Sequence, residues 1–239
     1  MLTWEQARAE FPVLNDRVYL NTGTYGPVPR CSAEASSELM MTELRIGRAC
    51  TEYYETIDAV RGRTLDLLAG LIGSKPKDLA LTCSTTAGCH IVLGGLGIKP
   101  GDEVVTTNQE HHSVITSLRA SGATLIEVEL LGVGDDELVQ RIAEAVTERT
   151  SLIAISHITW TDGRALPVKR ISEIGPPVML DGAQSVGAIP VDVSDLACDF
   201  LVFSGQKWLL GPEATGGLYV HPAWQTRLQV VLPSSYGHL

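Results

Sequence analysis

Beyond residue 78 the chain alternates between short, continuous apolar runs and stretches with helical spacing. DLALT (78–82) predicts a strand and TAGCHIVLGGL (86–96) a helix. DEVVTT (102–107) and TLIEVEL (124–130) predict strands, each followed by a helix, HSVITSLRAS (112–121) and DDELVQRIAEAV (135–146). SLIAISHI (151–158), VMLD (178–181), DFLVFS (199–204) and GGLYVH (216–221) read as further strands, with a short helix at VKRISEI (168–174). Strands without polar alternation are covered on both faces. The pattern therefore predicts an α/β domain, a mostly parallel mixed sheet with helices on both sides. Ahead of it, residues 1–30 show little periodicity and read as a short helix, an arm and a loop. Residues 32–72 read as helix broken near Gly47 to Thr51. Ile57, Val60, Leu67, Leu68 and Leu71 recur there at helical spacing, and Gly73 suits a stop.

Composition narrows the function classes. The 239 residues are 44% hydrophobic and 19% charged, ordinary for one large globular domain, alone or with a fragment of another. No apolar run reaches membrane-spanning length, and MLTWEQARAEFPVL has no apolar core of the signal-peptide kind, so a cytoplasmic location is expected. A net charge of −10 and a pI near 5.0, without any basic cluster, argue against nucleic acid or an anionic membrane as partner. The five cysteines (31, 50, 83, 89 and 198) form no CxxC pair and read as free thiols. Cys83, Cys89 and His90 do not complete a zinc set, so no metal is expected. Cys198 reads as core.

In open α/β sheets ligands bind at the carboxyl ends of the strands. After the first strand stand Ser84, Thr85 and Thr86, hydroxyl residues at a helix start that suit an anion and equally suit an ordinary N-cap. NQEHHS places two histidines at the next helix start, able to stack on a planar ring or to sit half-exposed. Trp160 follows the SLIAISHI run and walls a pocket or simply packs. Asp181 ends the VMLD strand, either as a carboxylate needing a positive partner or as an Asp-Gly turn. Lys207 follows the next strand, one strand-to-strand step later. A phosphate cradle, a planar stacking residue, an acid and a lysine together match one cofactor, pyridoxal 5′-phosphate. An aspartate keeps its ring nitrogen protonated and a lysine condenses with its aldehyde.

MLDGAQSVG followed by FSGQKWLLGPEATGGLYV resembles the class V aminotransferase family of fold-type I pyridoxal-phosphate enzymes, which includes cysteine desulfurases and isopenicillin N epimerase-like proteins. LTCSTTAGCHIVLGGL, NQEHHSVI, ISHITW and YLNTGTYGPVP fit further stations of that family in order. The resemblance implies that Lys207 carries the Schiff base, Asp181 pairs with the pyridine nitrogen and Gln184 reaches the phenolic oxygen. It implies that His112, the second of the pair, stacks on the ring. Ser84, Thr85 and Thr86 would cradle the phosphate, helped by Ser204 and Gln206. It further implies chemistry at the α-carbon of a small-molecule amino-acid substrate, by transamination, epimerisation or cysteine desulfuration and elimination, in a homodimer. Two positions depart from the family: Gln206 stands where desulfurases commonly have His, and Trp160 where they often have Asn. The chain also stops at PSSYGHL, where the family's C-terminal domain would begin. The expected division is an arm (1–30), a cofactor-binding large domain (31–225) and the truncated start of a small domain (226–239), the rest of that domain being absent. The alternative is a non-catalytic cofactor-binding or interaction protein without the substrate grip.

Overall fold

The computed structural model describes residues 3–231 and 233; the end of the expected small-domain start, residues 232 and 234–239, lies outside the described residues. In chain order the helices are α1 (Trp4–Ala9), α2 (Arg30–Ile46), α3 (Thr51–Ile72), α4 (Thr85–Leu96), α5 (His112–Ser121), α6 (Asp135–Ala145), α7 (Val168–Ser172), α8 (Val193–Leu196) and α9 (Pro222–Gln225). The strands are β1 (Leu79–Thr82), β2 (Glu103–Thr107), β3 (Thr124–Val128), β4 (Thr150–Ser156), β5 (Val178–Asp181), β6 (Phe200–Ser204) and β7 (Gly216–Val220). They form a seven-stranded sheet in the order β1-β7-β6-β5-β4-β2-β3. The neighbours from β3 to β6 are parallel, and β7 is antiparallel to both β6 and β1. No helix among the described residues is long and apolar enough to cross a membrane.

The unbroken apolar character of the strands follows from two cores. Val105, Ile153, Leu180, Leu201 and Phe203 point to one side, where they meet Ile72 of α3, Leu138 and Ile142 of α6 and Ile171 of α7. Val104, Leu152, Ala154, Met179, Phe200 and Val202 point to the other, against Cys89, Val92 and Leu93 of α4 and Val114 and Leu118 of α5. A strand between two such layers has no solvent face on which to place polar residues. The α4 side changes character at the carboxyl edge. There the alternation brings Thr106, Ser156, Asp181 and Ser204 to the positions that continue its apolar rows, and all four are buried. That edge sets where the chemistry stands.

Helix starts and stops obey local chemistry. Ser84 caps α4 by accepting from the Ala87 amide, and Gly73, Gly97 and Gly122 close α3, α4 and α5 in the left-handed conformation. The short helices α8 and α9 and the single 3-10 turns at Pro12–Asn15 and Pro76–Asp78 carry too few residues for a periodic signal. The described part of the C-terminal segment folds back on α4: the Gln229 amide donates to the Gly95 carbonyl at 2.8 Å, and Leu228 packs on the second core. By contrast α2 buries none of its side chains and exposes Met40, Met41 and Leu44. Between α2, α3 and the β6–β7 turn lies a cleft of about 760 Å³, whose lining includes Val60, Leu67, Leu68, Leu81 and Leu209.

α4 lies against the sheet because Gly88 offers no side chain; a Cβ there would stand 2.6 Å from Val202 Cγ1. We expect Gly88→Ala to overpack this contact and lower stability by about 1–3 kcal/mol. Gly70→Ala in α3, where a Cβ meets nothing within 4 Å, should raise it by roughly 0.5–1 kcal/mol. Denaturant midpoints of the two variants should therefore move in opposite directions; a shared direction contradicts this packing.

Candidate active site

The strand order reverses between β2 and β4, since β3 lies outside β2 on one side while β5 and β6 follow β4 on the other. A crevice opens at the carboxyl ends of strands at such a point. Here it holds a cavity of about 420 Å³, lined by Asn21, Gly23, Thr24 and Tyr25 of the arm, His111, Trp160, Gln184, Gln206 and Lys207.

Lys207 sits on the turn after β6, and two glycines hold that turn in place. The Gly26 amide donates to the Gln206 carbonyl at 2.7 Å, and a Cβ on Gly26 would stand 2.2 Å from the Lys207 carbonyl oxygen. Gly187, at φ +92°, also lies close to the Trp208 carbonyl, 2.8 Å from where its Cβ would be. Arm and β5 loop thus press on the turn from two sides. The Lys207 ammonium is half-buried; burial pushes it below the usual lysine range, and the charge of Asp181 works against that shift.

Asp181 is buried at the end of β5, in register with Ser156 on one neighbour and Val202 on the other. Burial raises its carboxyl above the ordinary value. The Ala183 amide at 2.8 Å, the Lys207 charge and the Ser113 hydroxyl oppose the rise. A second buried carboxyl, Glu110, lies at the same edge. Its Oε1 accepts from the Thr107 hydroxyl at 2.6 Å and its Oε2 from the Ser156 hydroxyl at 2.5 Å. Burial outweighs these bonds and pushes Glu110 up to about 7. Cys89 of α4 faces both carboxyls. Burial first, and then the Asp181 charge, holds its thiol well above the usual range, so it stays protonated.

The other expected residues fall into three groups. Thr85 and Ser204 share a hydrogen bond of 2.8 Å, and the Thr85 amide reaches the same Ser204 hydroxyl at 3.2 Å. These bonds tie the start of α4 to the end of β6, and with the Ser84 cap and the half-buried Thr86 they lie beside the cavity rather than in its wall. Gln184 and Gln206 do line the cavity. Gln184 is anchored, donating to the Gly23 carbonyl at 2.9 Å and accepting from Trp208 Nε1 at 2.8 Å. Gln206 is not, since its buried Oε1 has no hydrogen-bond partner. The histidines differ from expectation: His111 lines the cavity and feels the Lys207 charge, whereas His112 is exposed. The cause is local. His111 is the extended N-cap of α5 (φ −67°, ψ 152°), pinned by the Ser113 amide and hydroxyl at its Nδ1, while His112 opens the helix proper. Trp160 stands edge-on to His111, with ring centres 5.3 Å apart.

Sequence reasoning passed over Glu110, Ser113, Ser156 and the cavity-lining side of the arm. NQEHHS contained the first two, yet nothing in it distinguishes a buried glutamate from an exposed one.

The aminotransferase class-V family model matches residues 29–237. A probable cysteine desulfurase of Methanothermobacter thermautotrophicus is 31% identical over 252 residues, covering 95% of this chain and 59% of the relative. An isopenicillin N epimerase of Streptomyces clavuligerus is 30% identical over 244 residues, covering 97% and 59%. The solved structure of a C-DES mutant with glycine covalently linked to its PLP cofactor superposes with a TM-score of 0.87 at 28% identity, covering 96% of this chain and 65% of that one. The chain thus spans about 59% of the length of these curated relatives.

The buried Glu110 predicts a pH dependence of stability. Its folded value of about 7 lies above the ordinary 4.5, so between those values the folded chain keeps a proton that the unfolded chain has lost. Stability falls as pH rises through this window, by about 3 kcal/mol from this group. Glu110→Gln has no proton to lose. Urea unfolding of both chains at pH 5 and pH 7.5 should show a smaller loss in the variant; equal losses contradict the assignment.

Proposed function

The chain belongs to the class-V aminotransferase family, and from that premise we propose that it holds pyridoxal 5′-phosphate on Lys207 and acts at the α-carbon of an amino acid. The observation that carries this reading is the half-buried Lys207, its ammonium lowered by burial, facing the field of a fully buried Asp181 at a cavity of about 420 Å³. An amine of lowered basicity reaches its neutral, nucleophilic form more readily, which is what an aldehyde requires. The donor set suits the cofactor too. Gln206 brings an amide with an unpartnered buried oxygen to the cavity wall, and turning that amide over presents its N–H groups to a phosphate. The α4 start adds Ser84, Thr85 and Thr86 at the positive end of a helix, joined to β6 through Ser204.

When bound, the cofactor supplies a sink for the electron pair released at an α-carbon, deepest when its ring nitrogen is protonated. The remaining work falls to side chains. Asp181, unable to reach water, needs a cation and would hold that ring proton by charge pairing. Lys207 would carry a proton to and from the α-carbon once its amine is free. His111, in place of the expected His112, would cover the ring, with Trp160 beside it limiting its movement. Gln184 keeps one N–H beyond its bond to Gly23, available to the phenolic oxygen. This reading accommodates relatives named as cysteine desulfurase and as isopenicillin N epimerase.

We assign residues 31–225 to the cofactor-binding domain, residues 1–30 to the arm that closes one wall of the cavity, and residues 226–239 to the start of a further domain. We also propose a cytoplasmic homodimer. The exposed apolar residues of α2 and the cleft beside α3 support the association, and the free cysteines, two of them exposed, support the compartment.

Titration with pyridoxal phosphate, followed by visible absorbance, tests the reading. The chain should develop a band that Lys207→Ala lacks. His111→Ala should weaken binding about 3–10-fold, the worth of one aromatic stack, with His112→Ala within about 2-fold of the parent. A band of equal strength in Lys207→Ala rejects the proposal, and a larger loss in His112→Ala than in His111→Ala rejects the assignment of the stacking ring.

A further inference from the structure

Asp181 is not alone beneath the cavity. Ser156 lies directly beside it across the β4–β5 pair, and parallel neighbours in register place their side chains on the same face about 4.8 Å apart. The Ser156 hydroxyl donates to Glu110, whose other oxygen is taken by Thr107. All four residues are buried. Ser156 has one proton to give and stands between two carboxyls. The Asp181 charge adds to the rise that burial imposes on Glu110, as one buried like charge does to another. Around this floor stand Cys89 of α4, whose thiol burial and then both carboxyls raise, and Lys207 of the turn after β6, whose charge lowers Asp181; His111 at the start of α5 feels Lys207 and His112. Lys207 lies on the Asp181 side, where its charge opposes the rise that burial imposes on Asp181.

We propose that Glu110 is a positioning residue of the site, whose proton decides whether Asp181 is the only negative charge under the cavity or one of two. In the protonated form Glu110 has a hydrogen of its own to donate to Ser156, which frees the Ser156 proton to turn toward Asp181. In the ionised form Glu110 holds the Ser156 proton, and the floor carries a second charge. A cation resting on Asp181 is then held more tightly above neutral pH than below it. For the cofactor's ring nitrogen this consequence rests on the reading given above; the coupling of the two carboxyls does not. Burial of Glu110 gives its ionisation a midpoint of about 7, within the range where such a device would act.

The test is carboxyl carbon NMR of the cofactor-free chain between pH 4 and 9, with Glu110→Gln and Asp181→Asn used to assign the signals. Glu110 should titrate near neutrality, and the Asp181 carbon should show an inflection in the same step. Glu110→Gln, which mimics the protonated acid, should remove that inflection and leave the earlier one. Ser156→Ala should weaken the coupling while Glu110 still titrates. An Asp181 signal that is identical with and without Glu110, or a Glu110 signal ionised throughout the range, overturns the proposal. Should the glutamine variant not fold, the parent spectrum decides alone, since the shared step is either present or absent. With pyridoxal phosphate added, the visible band should respond to pH near neutrality in the parent and not in Glu110→Gln. Absence of any band would defeat the cofactor reading while the cofactor-free titration still decides this one.

Discussion

The site depends on one pairing: a carboxylate sealed inside the protein and a lysine only half-released to water. Neither state is stable alone. A buried ion without a counter-charge costs several kcal/mol, and it sheds its charge sooner than remain so. Burial raises the Asp181 carboxyl, and the Ala183 amide, the nearby Lys207 and the Ser113 hydroxyl oppose that rise. The backbone of the turn that carries Lys207 is held by Gly26 and Gly187, which approach it too closely for any side chain to intervene. The result is an amine with lowered proton affinity and a carboxylate with an unmet need for a cation, at one cavity. These are the properties that would hold the proposed cofactor, which bears an aldehyde and a basic ring.

The sheet delivers this pairing through its order. β5 and β6 are parallel neighbours, so their carboxyl ends emerge side by side, one bearing Asp181 and the other leading to Lys207. α4 reaches the same edge because Gly88 lets it lie on Val202, and its first turn then meets Ser204. α5 contributes from the far side of the switch point, with His111 turned to the cavity and Ser113 to Asp181. The antiparallel β7 returns the chain beside β6 and closes the sheet toward β1 without adding a side chain to the cavity wall.

Much of this was legible in the sequence because burial on two faces leaves strands with no polar positions, and such runs are hard to mistake. The strand-end positions followed for the same reason: Asp181 closes one apolar run, and Lys207 stands on the turn directly after another. What escaped depended on contacts far apart in the chain or on rotation by a single residue. His111 and His112 are adjacent and identical, and only the extended N-cap conformation turns the first inward. The anchoring of Gln184 to Gly23 and Trp208 joins residues that no periodicity connects. Glu110 reads as a solvated acid until Thr107 and Ser156 are seen to enclose it. The Thr85–Ser204 bond, likewise, joins the start of α4 to the end of β6 across 119 residues of sequence that no periodicity connects.

Where a covalent label lands is the most direct question to ask of this chain. Borohydride reduction after incubation with pyridoxal phosphate, followed by peptide mass mapping, answers it. One pyridoxyl group per chain is expected, on the peptide containing Lys207, because Lys207 lines the cavity at the carboxyl edge of the sheet, is lowered by burial and lies in the field of the buried Asp181. A label spread over the exposed lysines in proportion to their accessibility, with Lys207 not preferred, would contradict it.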